Sequence, residues 1–149
     1  MKKVYKILFA IHLFVGIGAI AGGLAAITNP NEPLGASVEL LKNSPFSNYL
    51  IPGIILFTII GLGNIFSALI FRLNFKLQGY ISSIFSFALV IWIIVQCIML
   101  KSIVFLHVLY FGIGLIQVSL SISILFEKRL FPTNIVSDYY NDLSHKSKK

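Results

Sequence analysis

Acidic residues and cysteine are scarce in this chain, and each scarcity removes a class of chemistry. The five acids are Glu32, Glu39, Glu127, Asp138 and Asp142, so no acid occurs from Leu40 to Phe126. A small proton-coupled exporter needs a carboxylate inside the membrane, and none of the apolar runs described below contains one. Cys97 is the single cysteine, which excludes an intrachain disulfide, a CxxC redox pair and a thiolate zinc motif. The chain has no Walker lysine motif, no dinucleotide glycine fingerprint and no GxSxG nucleophile elbow. Gly61-Leu62-Gly63 and Gly112-Ile113-Gly114 lie mid-run, away from any strand, and are not phosphate loops. Charged residues make up only 11% of the chain, against about a quarter in soluble domains, and no hydrophilic block is long enough for a second domain.

What is abundant is apolar sequence, 57% of the residues. It falls into four runs, at about 7–27, 50–71, 79–100 and 103–126, each long enough at about 1.5 Å per residue to cross a ~30 Å hydrocarbon core. The first run follows Lys2, Lys3 and Lys6 and contains Ala19-Ile20-Ala21, which resembles a signal-peptide cleavage site. It exceeds the usual ~7–15-residue signal core, and the favoured reading is a retained span. Residues 28–49 form an outer loop. Pro30, Pro33 and Pro45 break helices there, and Ser37 could cap a short helix through Leu41. With two acids and one lysine this loop belongs outside, lying on the membrane surface or capping the bundle. Asn48–Arg72 carries the second span, with Pro52 in its first turn and Asn64 deep inside. Residues 127–149 form a basic tail, helical around 134–143, with Phe131, Tyr139 and Tyr140 as interface anchors.

The net charge of +7 is distributed by membrane side. Lys2, Lys3, Lys6, Arg72, Lys76, Lys128, Arg129, Lys146, Lys148 and Lys149 flank alternate ends of the runs, which is the positive-inside pattern and not a nucleic-acid footprint. The expected fold is therefore all-α: a polytopic membrane protein, an antiparallel four-transmembrane-helix bundle with both termini inside. Its first partner is the lipid bilayer, with another membrane protein or a second copy as further partners and no nucleic acid.

Small and hydrogen-bonding residues mark helix contact faces in lipid. Each run has one such stripe at three- and four-residue spacing: His12, Gly16, Ala19, Gly23, Ala26; Gly53, Phe57, Ile60, Asn64, Ser67; Gly79, Ser82, Ser86, Leu89, Ile93, Gln96; and His107, Tyr110, Gly114, Gln117, Ser121. Gly18 and Gly22 form a small-xxx-small pair on a neighbouring face, a candidate partner surface. Counting depth from the inner edge puts His12, Asn64 and Gln117 roughly 8–14 Å inside one leaflet, with Ser86 near. Gln96 and His107 come out about 6 Å below the outer edge, facing each other across the Lys101-Ser102 turn, close enough for a direct or water-bridged bond. Tyr110 follows one turn deeper.

The inner cluster reads either as a small-molecule or lipid-headgroup site or as interhelical glue, worth about 0.6 kcal/mol per hydrogen bond; amides and serines without charge favour glue. His12 and His107, about 15 Å apart along the membrane normal, cannot both ligate one haem iron. Neither has further ligands for a metal, so no cofactor is expected.

Ser44-Pro45-Phe46, Leu50-Ile51-Pro52-Gly53, Gly61-Leu62-Gly63-Asn64 and the later Trp92 and Gln96 resemble a group of uncharacterised small four-helix bacterial membrane proteins. Size and span count are similar, to a lesser degree, to the DoxX-like families. The resemblance implies a location in the bacterial inner (cytoplasmic) membrane and supplies no catalytic residue. The leading functional expectation is a non-enzymatic accessory or interaction subunit, or a self-associating bundle. The alternatives are a small-molecule or lipid-binding carrier using the polar cluster, and a membrane-enzyme subunit acting on quinone or lipid.

Overall fold

The structure, a computed structural model, describes residues 2–73 and 75–146, with side chains through 141. Asn74, Lys148 and Lys149 lie outside the described residues, and the side chain of Lys146 lies beyond those described. The fold is the expected all-helical membrane bundle. Four helices are long and apolar enough to cross a bilayer: α1 (Lys2–Thr28), α2 (Leu50–Arg72), α3 (Gln78–Leu100) and α4 (Phe105–Glu127). A fifth, α5 (Thr133–Lys146), follows them.

The helices form a square. α1 packs on α2 and α4, and α3 packs on α2 and α4. Across the diagonals, among the described residues, no Cα atoms come within 8 Å, neither between α1 and α3 nor between α2 and α4. Short connections at Leu73–Leu77 and Lys101–Val104 force sequential helices to be antiparallel neighbours. Lys101 closes α3 in the left-handed conformation at φ 45°.

Glycine permits the closest approaches. A Cβ on Gly23 would stand 2.7 Å from the Phe57 backbone nitrogen, one on Gly16 2.7 Å from Ile65 Cδ1, and one on Gly114 2.8 Å from Val90 Cγ2. The predicted packing stripes of α1 and α4 are thus helix contacts, as small residues in lipid require. Large apolar side chains such as Phe14, Ile17, Phe66, Ile84 and Ile91 remain exposed on the outside, where a bilayer would cover them.

α2 is not uniform. Leu56–Leu62 winds as a π-helix between α-helical halves Leu50–Ile55 and Gly63–Arg72. A π turn carries an additional residue and shifts the face that follows it. Where it ends, the Ile60 carbonyl accepts the Asn64 side-chain amide at 2.8 Å. That bond fixes which end of the Asn64 amide faces the bundle centre.

The loop from α1 to α2 is held by its own bonds. The Tyr49 N–H donates to the Pro30 carbonyl at 2.9 Å and its hydroxyl to the Ser37 carbonyl at 3.0 Å. Ser37 caps a 3-10 turn, Val38–Leu41, through the Glu39 N–H. Leu34 in this loop has φ 53° and is 88% exposed. At the opposite end, Thr133 donates to the Leu125 carbonyl at 2.8 Å and Tyr80 to the Phe131 carbonyl at 2.6 Å, which ties the start of α5 to α3 and α4.

Candidate functional site

Polar residues gather at two levels, and the levels differ in kind. The inner level is sealed. His12, Asn64, Ser82, Gln117 and Ser121 are all fully buried. Asn64 has committed its nitrogen to Ile60, so its Oδ1 faces His12 Nδ1, 2.7 Å away, as an acceptor. The imidazole therefore carries its proton on Nδ1 and donates it to Asn64. Nε2 accepts the Ser82 hydroxyl at 2.7 Å, and the Ser82 oxygen accepts from Ser121 at 2.5 Å. Gln117 Nε2 lies 3.3 Å from Asn64 Oδ1 and donates to it. It also sits 3.0 Å from His12 Nδ1, a contact in which neither nitrogen can accept while that nitrogen holds its proton. The Gln117 carbonyl oxygen is left buried without a partner among the described residues.

Apolar packing closes this level above and below. Leu8, Phe71 and Ile124 pack on the side where α1 begins, and Val15, Ala19, Ile60, Leu89, Trp92 and Ile93 on the loop side. Both imidazole nitrogens of His12 are engaged, and its ring stacks on Phe71 with centroids 6.0 Å apart. His12, Asn64 and Gln117 meet as depth counting expects. Ser86 does not join them: its hydroxyl donates to the Ser82 carbonyl of its own helix at 2.6 Å. Ser82 and Ser121 take that place. Both stood on the expected stripes, but depth counting cannot separate residues one turn, about 5.4 Å, apart.

The outer level is open. A cavity of about 440 Å³ lies in the half of the bundle nearest the loop, within the range of small-molecule sites. Its walls are mostly apolar, with Val15, Leu56, Ile60, Leu89 and Trp92 among them. Leu34 of the loop and Val104 and Leu106 at the start of α4 contribute the walls at the loop end. Three polar side chains join this lining: Gln96, His107 and Tyr110. His107 Nδ1 accepts the Val104 N–H at 3.3 Å, so Nε2 carries the proton and has no partner among the described residues. The Gln96 amide likewise makes no bond among the described residues. Of the direct or water-bridged bond expected between Gln96 and His107, the direct form is absent among the described residues; the two border one space.

Tyr110 lies flat against Phe14, rings 6.2 Å apart, with its hydroxyl directly over the bare Cα of Gly18. A Cβ at Gly22 would lie 3.4 Å from Leu56 Cδ2. Gly18 and Gly22 thus belong to the cavity wall and not to an outward partner surface. Among the cavity residues that sequence reasoning missed are Val15, Leu34, Leu56, Trp92, Val104 and Leu106. Only Trp92, as the lone tryptophan, carried any signal.

No family model, curated protein or solved structure matches the chain.

Proposed function

We propose that this is a non-enzymatic integral protein of the bacterial cytoplasmic membrane, with both termini inside, that holds one apolar or amphipathic small molecule in the outer half of its bundle. The supporting observation is the cavity of about 440 Å³ in whose otherwise apolar lining the Gln96 amide, the His107 Nε2–H and the Tyr110 hydroxyl have no partner among the described residues. An apolar guest body gains from leaving water or headgroups, and a carbonyl or ether oxygen on it would accept from the imidazole N–H or the phenol. Isoprenoid quinones and single-chain lipids have that shape and chemistry. The inner cluster, buried and bonded across all four helices, acts as the frame that keeps them in register. The basic clusters at one end support the orientation.

The test uses Trp92, the only tryptophan, as a reporter in the cavity wall. Decylubiquinone and a lysophospholipid, titrated into purified protein, should change its fluorescence saturably. Gly22→Leu, whose first side-chain carbon meets only ordinary contact, fills the cavity and should abolish the change. Non-saturable quenching, or quenching equal in the Gly22→Leu protein, would end this reading in favour of an accessory or interaction subunit.

A further inference from the structure

The end of the bundle where α1 begins and α2 ends holds a second recess, of about 520 Å³, between those two helix ends. Lys2, Lys6 and Arg72 line it with Tyr5, Phe9 and Phe71. Lys2 and Lys6 are four residues apart, so they share one face of α1. Arg72, in the last turn of the antiparallel α2, stands opposite. Three like charges around one recess repel unless an anion joins them. None of the three forms an ion pair among the described residues; the pair those residues contain is Lys42–Glu39, 3.7 Å apart in the loop at the other end. A fourth cation adds to the field, because Lys128 Nζ lies 5.7 Å from the centre of the Tyr5 ring.

The recess also has a fixed apolar floor. Tyr5 and Phe71 have ring centres 6.0 Å apart, and Phe71 is backed by His12. Cations over an aromatic floor, at the level where a spanning helix leaves the bilayer, complement a phosphodiester with an apolar stem. We propose that this recess binds the headgroup of an anionic phospholipid. The Arg72 guanidinium takes the phosphate through its planar fork, and Lys2 and Lys6 act as point charges beside it. The glycerol and first acyl carbons run along Phe9 and Phe71. A zwitterionic lipid brings its own cation and gains less, and inorganic phosphate lacks the stem. This site is independent of the outer cavity and of what fills it.

The experiment is calorimetric titration of the full chain, in mild detergent, with dioctanoyl phosphatidylglycerol, dioctanoyl phosphatidylcholine and inorganic phosphate. Expected is saturable one-to-one binding of the glycerol lipid, at least tenfold weaker binding of the choline lipid, and no binding of phosphate at the same concentrations. K2Q, K6Q and R72Q should each weaken binding about fivefold, the effect of one cation near a membrane surface. K3Q and K76Q, cations outside the recess lining, should change it less than twofold, and R72K, which keeps the charge but loses the fork, should weaken it less than R72Q does. If R72Q does not give helical, monodisperse protein, the K2Q/K6Q double variant carries the same comparison. Equal loss in K3Q or K76Q would reduce the effect to diffuse attraction and overturn the site. So would equal affinity for the choline lipid, equal affinity for free phosphate, or absence of saturable binding.

Discussion

His12 Nε2 and Ser82 Oγ meet at 2.7 Å across the diagonal of the bundle, between two helices whose Cα atoms nowhere come within 8 Å in the described residues. Gln117 and Asn64 bridge the other diagonal at 3.3 Å. Neighbouring helices are joined by close packing and by bonds such as His12–Asn64 and Ser82–Ser121, whereas the diagonal ones meet through hydrogen bonds at the centre. Square packing alone leaves helix rotation and sliding weakly specified, and the crossed bonds specify both.

His12→Leu removes the shared member of this network: the buried Ser82 hydroxyl loses its acceptor, and Asn64 Oδ1 keeps only the longer 3.3 Å bond from Gln117. The expected cost is about 1–3 kcal/mol. Asn64→Leu in the same background should cost less than it does alone, with a coupling of about 0.5–3 kcal/mol. Unfolding of the purified protein in SDS–detergent mixtures, followed by circular dichroism, measures both. Additive losses would mean that the two residues act separately.

Two glycines should behave oppositely. Gly23→Ala places a carbon 2.7 Å from the Phe57 backbone, which cannot swing aside, and should destabilise by about 1–3 kcal/mol as α1 and α2 are pushed apart. Gly112→Ala meets nothing within 4 Å and should be neutral or stabilise by up to about 1 kcal/mol through helix propensity. Thermal midpoints in one detergent make the comparison.

Gly18 and Tyr110 should be coupled. An alanine at 18 collides with the Tyr110 hydroxyl, so Gly18→Ala alone should lower the thermal midpoint. In a Tyr110→Phe background the same change should be nearly neutral. An equal loss in both backgrounds would refute the contact.

Leu34 holds a left-handed backbone at the loop end of the cavity, a conformation that costs a leucine about 1–2 kcal/mol. Leu34→Gly relieves that cost while removing a wall side chain. The expected result is unchanged or higher stability together with stronger acrylamide quenching of Trp92, which is 7% exposed in the structure.

Orientation is open to a direct test. Reporter proteins fused after the C-terminus should be active only in their cytoplasmic form. Fusions in the Arg72–Lys76 turn should agree with them, and fusions in the loop after Thr28 should give the opposite result.

The sequence by itself determined the four spans, the loop between the first two and the end of the bundle that carries the positive charge. Each follows from a local property, namely length of apolar run, helix breakers or the sign of a flanking residue, and the bilayer leaves few other solutions for such a chain. Stripes of small residues told which side of each helix would be buried, and Gly16, Gly23 and Gly114 lie there. Tertiary structure alone decided which polar atoms meet. Ser82 and Ser86 share one stripe, and only the rise of α3 relative to α1 selects Ser82. The π segment at Leu56–Leu62 sets the direction of Asn64, and no residue pattern announced it. The same holds for the cavity, because a void is the space left when four rigid helices have satisfied their closest contacts. It is a sum over side chains from every helix and the loop, which no single stretch of sequence contains.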